Sequence, residues 1–243
     1  SLEPIAQQSG REQNAIRNLL EDPVRKVRID AAWALRRVLD TNSLAGRELR
    51  QYFRQTGDQP AGVMQQGVFQ YDRQQPARAE KFFRQAGQWD TNTAAPHHEL
   101  AVALSVQGRN QEAVNELRIA CAKDPTQAGF RYRLGLGLGE LGDLAGAKSA
   151  FEEAVKIDPT LADAWYNLGL ALNSMDQPDE AIGALETAER HDRISARAPY
   201  ARATILARLR RVPEAREAVQ LALRREPRHQ QARALWQQLG GSR

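Results

Sequence analysis

Residues 128–161, AGFRYRLGLGLGELGDLAGAKSAFEEAVKIDPTL, and residues 162–195, ADAWYNLGLALNSMDQPDEAIGALETAERHDRIS, are one 34-residue segment written twice. Leu134, Gly135, Leu138, Ala147, Phe151, Ala154 and Asp158 stand at the offsets of Leu168, Gly169, Leu172, Ala181, Leu185, Ala188 and Asp192. At the next place Pro159 gives way to Arg193, a change in kind. A period of this length marks a supersecondary unit that cannot bury its apolar face alone and is stabilised by stacking on its neighbours.

The same ruler extends in both directions without an insertion, giving units at 60–93, 94–127, 128–161, 162–195 and 196–229. The twentieth place holds Ala79, Ala113, Ala147, Ala181 and Ala215, and the twenty-seventh Ala86, Ala120, Ala154, Ala188 and Ala222. Small residues there let two helix backbones approach, while Phe83, Leu117, Phe151, Leu185 and Val219 at the twenty-fourth place fill the space beside them. The eighth place is small as well: Gly67, Ala101, Gly135, Gly169 and Ala203. Units close with Asp124-Pro125, Asp158-Pro159 and Glu226-Pro227, where proline stops the second helix.

The best copy, Trp165, Leu168, Gly169, Leu172, Ala181, Leu185 and Ala188, resembles the tetratricopeptide repeat. Gln66, Gln70 and Thr91 depart from the pattern in the first unit, and Pro199 replaces the large residue of the last. The resemblance implies an all-α fold of tandem helix-turn-helix repeats, a right-handed superhelical solenoid whose first helices line a concave groove. It divides the chain into a lead-in over 1–59, five repeats over 60–229 and a C-terminal cap over 230–243. Within the cap, Gln230–Leu239 reads as one helix that covers the stack with Ala234, Leu235, Trp236 and Leu239.

The lead-in is helical but outside the repeat pattern. Ile16, Leu19 and Leu20 share one side of a helix over 11–21, Asp22-Pro23 breaks it, and a second helix is expected from Val24 to Val38. A third runs from Leu44 to Gln55. The phrase LLEDPVRKVRIDAAWALRR resembles a HEAT-like unit, with its Asp-Pro corner and Val-Arg opening. Such a corner followed by these repeats also resembles the C-terminal region of exported bacterial multihaem cytochrome-like proteins. That likeness would make the array a docking or assembly module and place it in the periplasm; the default reading is cytoplasmic.

Composition bounds the alternatives. No apolar run approaches the roughly eighteen residues of a membrane span, and Ser1–Gly10 carries no signal region. A single cysteine, Cys121, excludes an internal disulfide framework. The net charge of +4 is uneven: residues 1–93 carry +3, 94–195 carry −7 and 196–243 carry +8, the last entirely arginine. An Arg-rich end raises nucleic-acid binding as an alternative. No aromatic residues interleave with these arginines, so a solvated face is the favoured reading.

Motifs for chemistry are sparse. Gly137, Gly139 and Gly142 satisfy G-x-G-x-x-G, but they fall in a helical segment with no strand before them, so a phosphate cradle is not expected. His97, His98, His191 and His229 lack metal-ligand spacing, and Glu152-Glu153 and Asp179-Glu180 point about 100° apart on a helix. The expectation is a non-enzymatic chain with no cofactor and no metal, monomeric by default, that binds a protein or peptide.

One stripe of each first helix remains. The fifth, ninth and twelfth places read Met64, Val68, Tyr71; His98, Val102, Ser105; Tyr132, Leu136, Gly139; Tyr166, Leu170, Asn173; and Tyr200, Thr204, Ala207. This is more apolar than a solvated face requires, and tyrosines suit peptide binding by offering apolar contact and a hydroxyl together. By the family resemblance these places line the groove, and Tyr132, Tyr166 and Tyr200 would form a ladder. The candidate peptide-binding set is Met64, Tyr71, His98, Val102, Tyr132, Leu136, Tyr166, Asn167, Leu170, Asn173, Tyr200 and Arg208. A C-terminal carboxylate clamp, as in some relatives, would need more than Asn167.

Overall fold

The computed structural model describes residues 10–241, and every regular element in that span is helical. Two compact units divide at Lys123 and Asp124. The N-terminal unit holds α1 (Gly10–Asn18), α2 (Arg25–Ala34), α3 (Leu44–Gln55), α4 (Pro60–Asp72), α5 (Pro76–Trp89), α6 (Ala95–Val106) and α7 (Asn110–Lys123). The C-terminal unit holds α8 (Ala128–Glu140), α9 (Leu144–Ile157), α10 (Ala162–Ser174), α11 (Pro178–His191), α12 (Arg197–Arg208), α13 (Val212–Arg225) and α14 (Gln230–Gln238). Within each unit the helices pack as adjacent pairs, two per period, as tandem helix-turn-helix repeats require.

The turn inside every repeat is set by one backbone angle. Gln74, Gly108, Gly142, Asp176 and Arg210 occupy the fifteenth place, and all five have positive φ, between 57° and 79°. At the next place, Gln75, Arg109, Asp143, Gln177 and Arg211 donate their amides back to Gln70, Leu104, Leu138, Leu172 and Leu206, at 2.9 to 3.0 Å. This is a Schellman closure repeated five times, which satisfies a carbonyl of the first helix and reverses the chain within a few residues. Pro76 and Pro178 then open second helices at the position where a missing amide costs nothing.

Repeats are joined by a second device. Asp90, Asp124, Asp158 and Asp192 accept amides two residues on, from Asn92, Thr126, Thr160 and Ile194, at 2.9 to 3.1 Å. Such Asx turns end the second helix and launch the next repeat.

Between these turns the small-residue columns form the core. All ten alanines at the twentieth and twenty-seventh places are at most 1% exposed. The eighth place faces the twenty-fourth of the same repeat. A Cβ added at Gly135 would sit 2.5 Å from the Phe151 ring, and one at Gly169 would sit 2.7 Å from Leu185; Gly67 is closed by Phe83 in the same way. Where the eighth place carries alanine, at Ala101 and Ala203, the twenty-fourth carries the smaller Leu117 and Val219. In four repeats a methyl at the eighth place is thus traded against a ring at the twenty-fourth; the remaining repeat departs by pairing Gly169 with Leu185.

The lead-in departs from expectation in detail. Its first helix ends at Asn18 and continues as a single 3-10 turn, Leu19–Glu21. The second ends at Ala34 rather than Val38. Beyond it Arg73 donates to the carbonyls of Leu39 (2.9 Å) and Arg36 (3.3 Å), so the chain can turn without leaving them unpaired. Buried Arg36 meets Asp72 at 2.5 Å and lies over the Trp33 ring at 4.6 Å. Ala32, Leu39, Ala45, Leu49 and Phe53 share a core with Phe69 of α4. Ala45 and Leu49, each 1% exposed, lie one period before Ala79 and Phe83, so the α2–α3 hairpin follows the phase of the array. The last helix opens on His229, whose Nδ1 accepts the Ala232 amide at 3.2 Å, and it buries Ala232, whereas Ala234, expected to cover the stack, is exposed because it lies on the opposite side of the helix.

Candidate functional site

The fifth-place residues of the C-terminal unit are half-buried on α8, α10 and α12: Tyr132, Tyr166 and Tyr200. Each is held by a group from elsewhere in the unit. Asn167 Nδ2 donates to the Tyr132 hydroxyl at 3.3 Å and to the Asp163 carbonyl at 2.8 Å. The phenol thus accepts from within, leaving its own hydrogen to offer outward. The Tyr132 ring also lies 6.0 Å from that of Phe151. Burial, assisted by the charge of Asp163, pushes the Tyr132 phenol above its ordinary pKa, so it stays a donor across physiological pH.

Tyr166 lies under the Arg197 guanidinium, 4.3 Å from the ring centroid, while Arg197 also pairs with Asp163 at 3.1 Å. Tyr200 faces the His229 imidazole at 4.8 Å. The rings are therefore engaged by Phe151, Arg197 and His229, a lateral wiring that the expected tyrosine ladder did not include. Further along, Arg208 donates to the Asn173 side chain at 2.6 Å, joining α12 to α10. Leu170 is half-buried and Leu136 is 37% exposed, giving the stripe an apolar strip between its polar ends.

In the N-terminal unit, Met64, Val68 and Tyr71 of α4 and His98 and Val102 of α6 are half-buried at the same places. His98 Nδ1 lies 3.3 Å from the Glu99 carboxylate. This stripe is a separate surface of its own unit.

Three participants were not singled out from the sequence: Asp163, Arg197 and His229. A signal for two of them was present, since Asp163 and Arg197 stand one period apart at the second place, where opposite charges on successive first helices can meet. His229 gave none, because its role depends on where the cap helix begins. Arg133, exposed and without a carboxylate partner among the described residues, adds to Arg197 and Arg208. Against them stand Asp163 and Glu140, the latter at the place on α8 that Arg208 holds on α12, so this face carries a small excess of positive charge.

The glycine-rich segment is helical as far as Glu140, with Gly142 at the left-handed turn, and no strand precedes it among the described residues. Among the described residues no three His, Cys, Asp or Glu side chains gather to hold a metal ion, and no helix is long and apolar enough to cross a membrane. Cys121 is buried in α7.

Two family models described as tetratricopeptide repeat match the sequence, over residues 98–162 and 150–183. Residues 98–183 carry tetratricopeptide repeats. Over 62% of its length it is 30% identical to a TPR repeat-containing protein of Pseudomonas aeruginosa, and it spans 54% of that relative. Solved TPR structures overlay it at low identity. MamA from Desulfovibrio magneticus has a TM-score of 0.66 and 22% identity, covering 72% of this chain and 98% of its own. For PilF of Pseudomonas aeruginosa the values are 0.65 and 24%, with 74% and 82% covered. YrrB, described as a TPR protein with an unusual peptide-binding site, gives 0.66 and 19%, with 77% and 97% covered. These likenesses establish an all-α TPR solenoid fold. They lend no support to the HEAT-like reading of the lead-in or to the cytochrome-like context.

Proposed function

We propose that the chain is a non-enzymatic scaffold that holds an extended segment of a partner protein along the first-helix stripe of its C-terminal unit. The observation that carries this reading is the pinning of half-buried tyrosines by neighbouring side chains, Asn167 on Tyr132 and Arg197 on Tyr166. Side chains already ordered lose little entropy on binding, which favours recognition. Leu136 and Leu170 supply apolar contact, and the uncompensated charges of Arg133 and Arg208 favour a segment with a carboxylate near its end or in its sequence. The description of YrrB as a peptide-binding TPR protein is in keeping with this use of the fold.

Met64, Tyr71, His98 and Val102 form a second, smaller contact surface on the N-terminal unit in the same reading. The test is selection of a binding peptide from a random library on the full chain, followed by isothermal titration with Tyr132→Ala, Asn167→Ala and Arg208→Ala. Each folded variant is expected to weaken binding about five- to fifty-fold, in line with interface residues of this type. Unchanged affinity in all three would remove the site.

A further inference from the structure

A different surface of the C-terminal unit breaks the repeat rule. After Asp124 and Asp158 come Pro125-Thr126 and Pro159-Thr160, and each threonine hydroxyl returns to the aspartate at 2.7 Å. After Asp192 come Arg193 and Ile194. The turn itself is kept, with the Ile194 and Ser195 amides donated to Asp192 at 3.0 and 3.1 Å, but the side chains project outward. Ile194 is 85% exposed, the most exposed of the large apolar residues described.

Beside it the last turns of α11 and α13 form an open cleft of about 670 Å³, lined by Arg190, Arg193, Ile194, Leu221 and Arg224 among others. Three carboxylates of α11 and the turn after it are already committed. Glu189 is bound in a fork by Arg202 at 2.8 and 3.1 Å, Glu186 meets Arg202 at 3.2 Å, and Asp192 holds its two amides. Arg225 is spent as well, on the carbonyls of Glu189, Asp192 and Ser195 at 2.9 to 3.0 Å. Arg190, Arg193 and Arg224 have no carboxylate partner among the described residues, so the cleft carries three guanidinium groups free of ion pairs around two aliphatic side chains.

We propose that this cleft docks an acidic segment of a partner protein, its carboxylates on Arg190, Arg193 and Arg224 and one aliphatic side chain against Ile194 and Leu221. Guanidinium forks match carboxylates in geometry as well as charge. No aromatic ring lines the cleft, so it lacks the platforms on which bases of single-stranded nucleic acid stack. Because it uses second-helix ends, the cleft is independent of the tyrosine stripe.

The experiment is fluorescence anisotropy on the full chain with a labelled twelve-residue peptide of four Glu-Glu-Leu units, at about 150 mM salt, where exposed charges farther apart than about 8 Å are screened. Poly-glutamate of the same length, a thymidine oligonucleotide and vesicles of phosphatidylcholine with phosphatidylserine serve as the other probes. The mixed peptide should bind at least tenfold more tightly than poly-glutamate, I194S should erase that preference, and R193E with R224E should abolish binding while the melting temperature holds. Should the double reversal unfold the chain, R193Q with R224Q is expected to weaken binding tenfold. Equal affinity for poly-glutamate, an unaltered I194S, or tighter binding of the oligonucleotide or vesicles would overturn the proposal. So would loss of the peptide on Tyr132→Ala with Arg208→Ala, which would put it on the other face.

Discussion

Replacing Gly135 by alanine should destabilise the third repeat, and replacing Phe151 by leucine should relieve part of the effect. The new Cβ would lie 2.5, 2.7 and 2.9 Å from Cε1, Cδ1 and Cζ of Phe151, against a comfortable separation of about 3.5 to 4.0 Å. The ring must move by roughly an ångström in a closed core, and overpacking of this kind costs about 1 to 3 kcal/mol. Alanine returns about 0.5 to 1 kcal/mol as the better helix former. G135A alone should therefore cost about 0.5 to 2 kcal/mol. In the F151L background the pair matches Ala101 with Leu117 and the flexible leucine can give way, so the same substitution should cost less, although Leu185 at 2.7 Å from a Cβ added at Gly169 shows that some contact remains. Urea unfolding followed by circular dichroism, read as a double-mutant cycle, should give a coupling of about 1 to 3 kcal/mol. A coupling near zero, or a G135A chain as stable as the parent, would refute the volume-trading argument. Gly139, four residues further along the same helix, provides the control: nothing lies within 4 Å of its added Cβ, so G139A should stabilise by about 0.5 to 1 kcal/mol.

Three further outcomes follow from the same reasoning. Gln74 and Arg210 adopt left-handed backbone at 58° and 59°, so Q74G and R210G should each stabilise by about 1 kcal/mol in urea unfolding, whereas G142A, at 79°, should lose a similar amount. Cutting the buried Arg36–Asp72 pair with R36A should cost about 2 to 4 kcal/mol, since Arg37 alone remains on the carboxylate, and protease should then cleave the lead-in first. The carboxylates of Asp90, Asp158 and Asp192 are held below the usual range, by the Thr93 hydroxyl, the Thr160 hydroxyl and the Ser195 amide respectively. A group with a depressed folded pKa adds stability above its unfolded value of about 3.9 and loses it as pH falls through the folded one. The melting temperature should thus fall below about pH 4, and a melting temperature that rises on acidification would contradict the Asx-turn account.

Much of the architecture was legible because the physical constraint recurred. Ala79 through Ala215 and Ala86 through Ala222 mark helix contacts that every repeat must make, so one side chain type appears five times in each column. The fifteenth place was not read, although it obeys an equally strict rule, because left-handed backbone is adopted there by glycine, glutamine, aspartate and arginine alike. In the lead-in, periodicity carried the second helix on to Val38. The stop at Ala34 comes from Arg73, a residue in another part of the chain that satisfies the turn. For the candidate stripe, the sequence located Tyr132, Tyr166 and Tyr200 by register alone. The contacts that orient them come from Asn167, Arg197 and His229, and such pairings depend on how one repeat rotates against the next.

The claim that partner recognition runs along the first-helix stripe is tested most directly by amide chemical-shift mapping of the full chain with a library-selected peptide. Shifts concentrated at Tyr132, Leu136, Asn167, Leu170, Asn173 and Arg208 are the predicted result. Shifts confined to the second helices or the lead-in, with those residues unmoved, would contradict it.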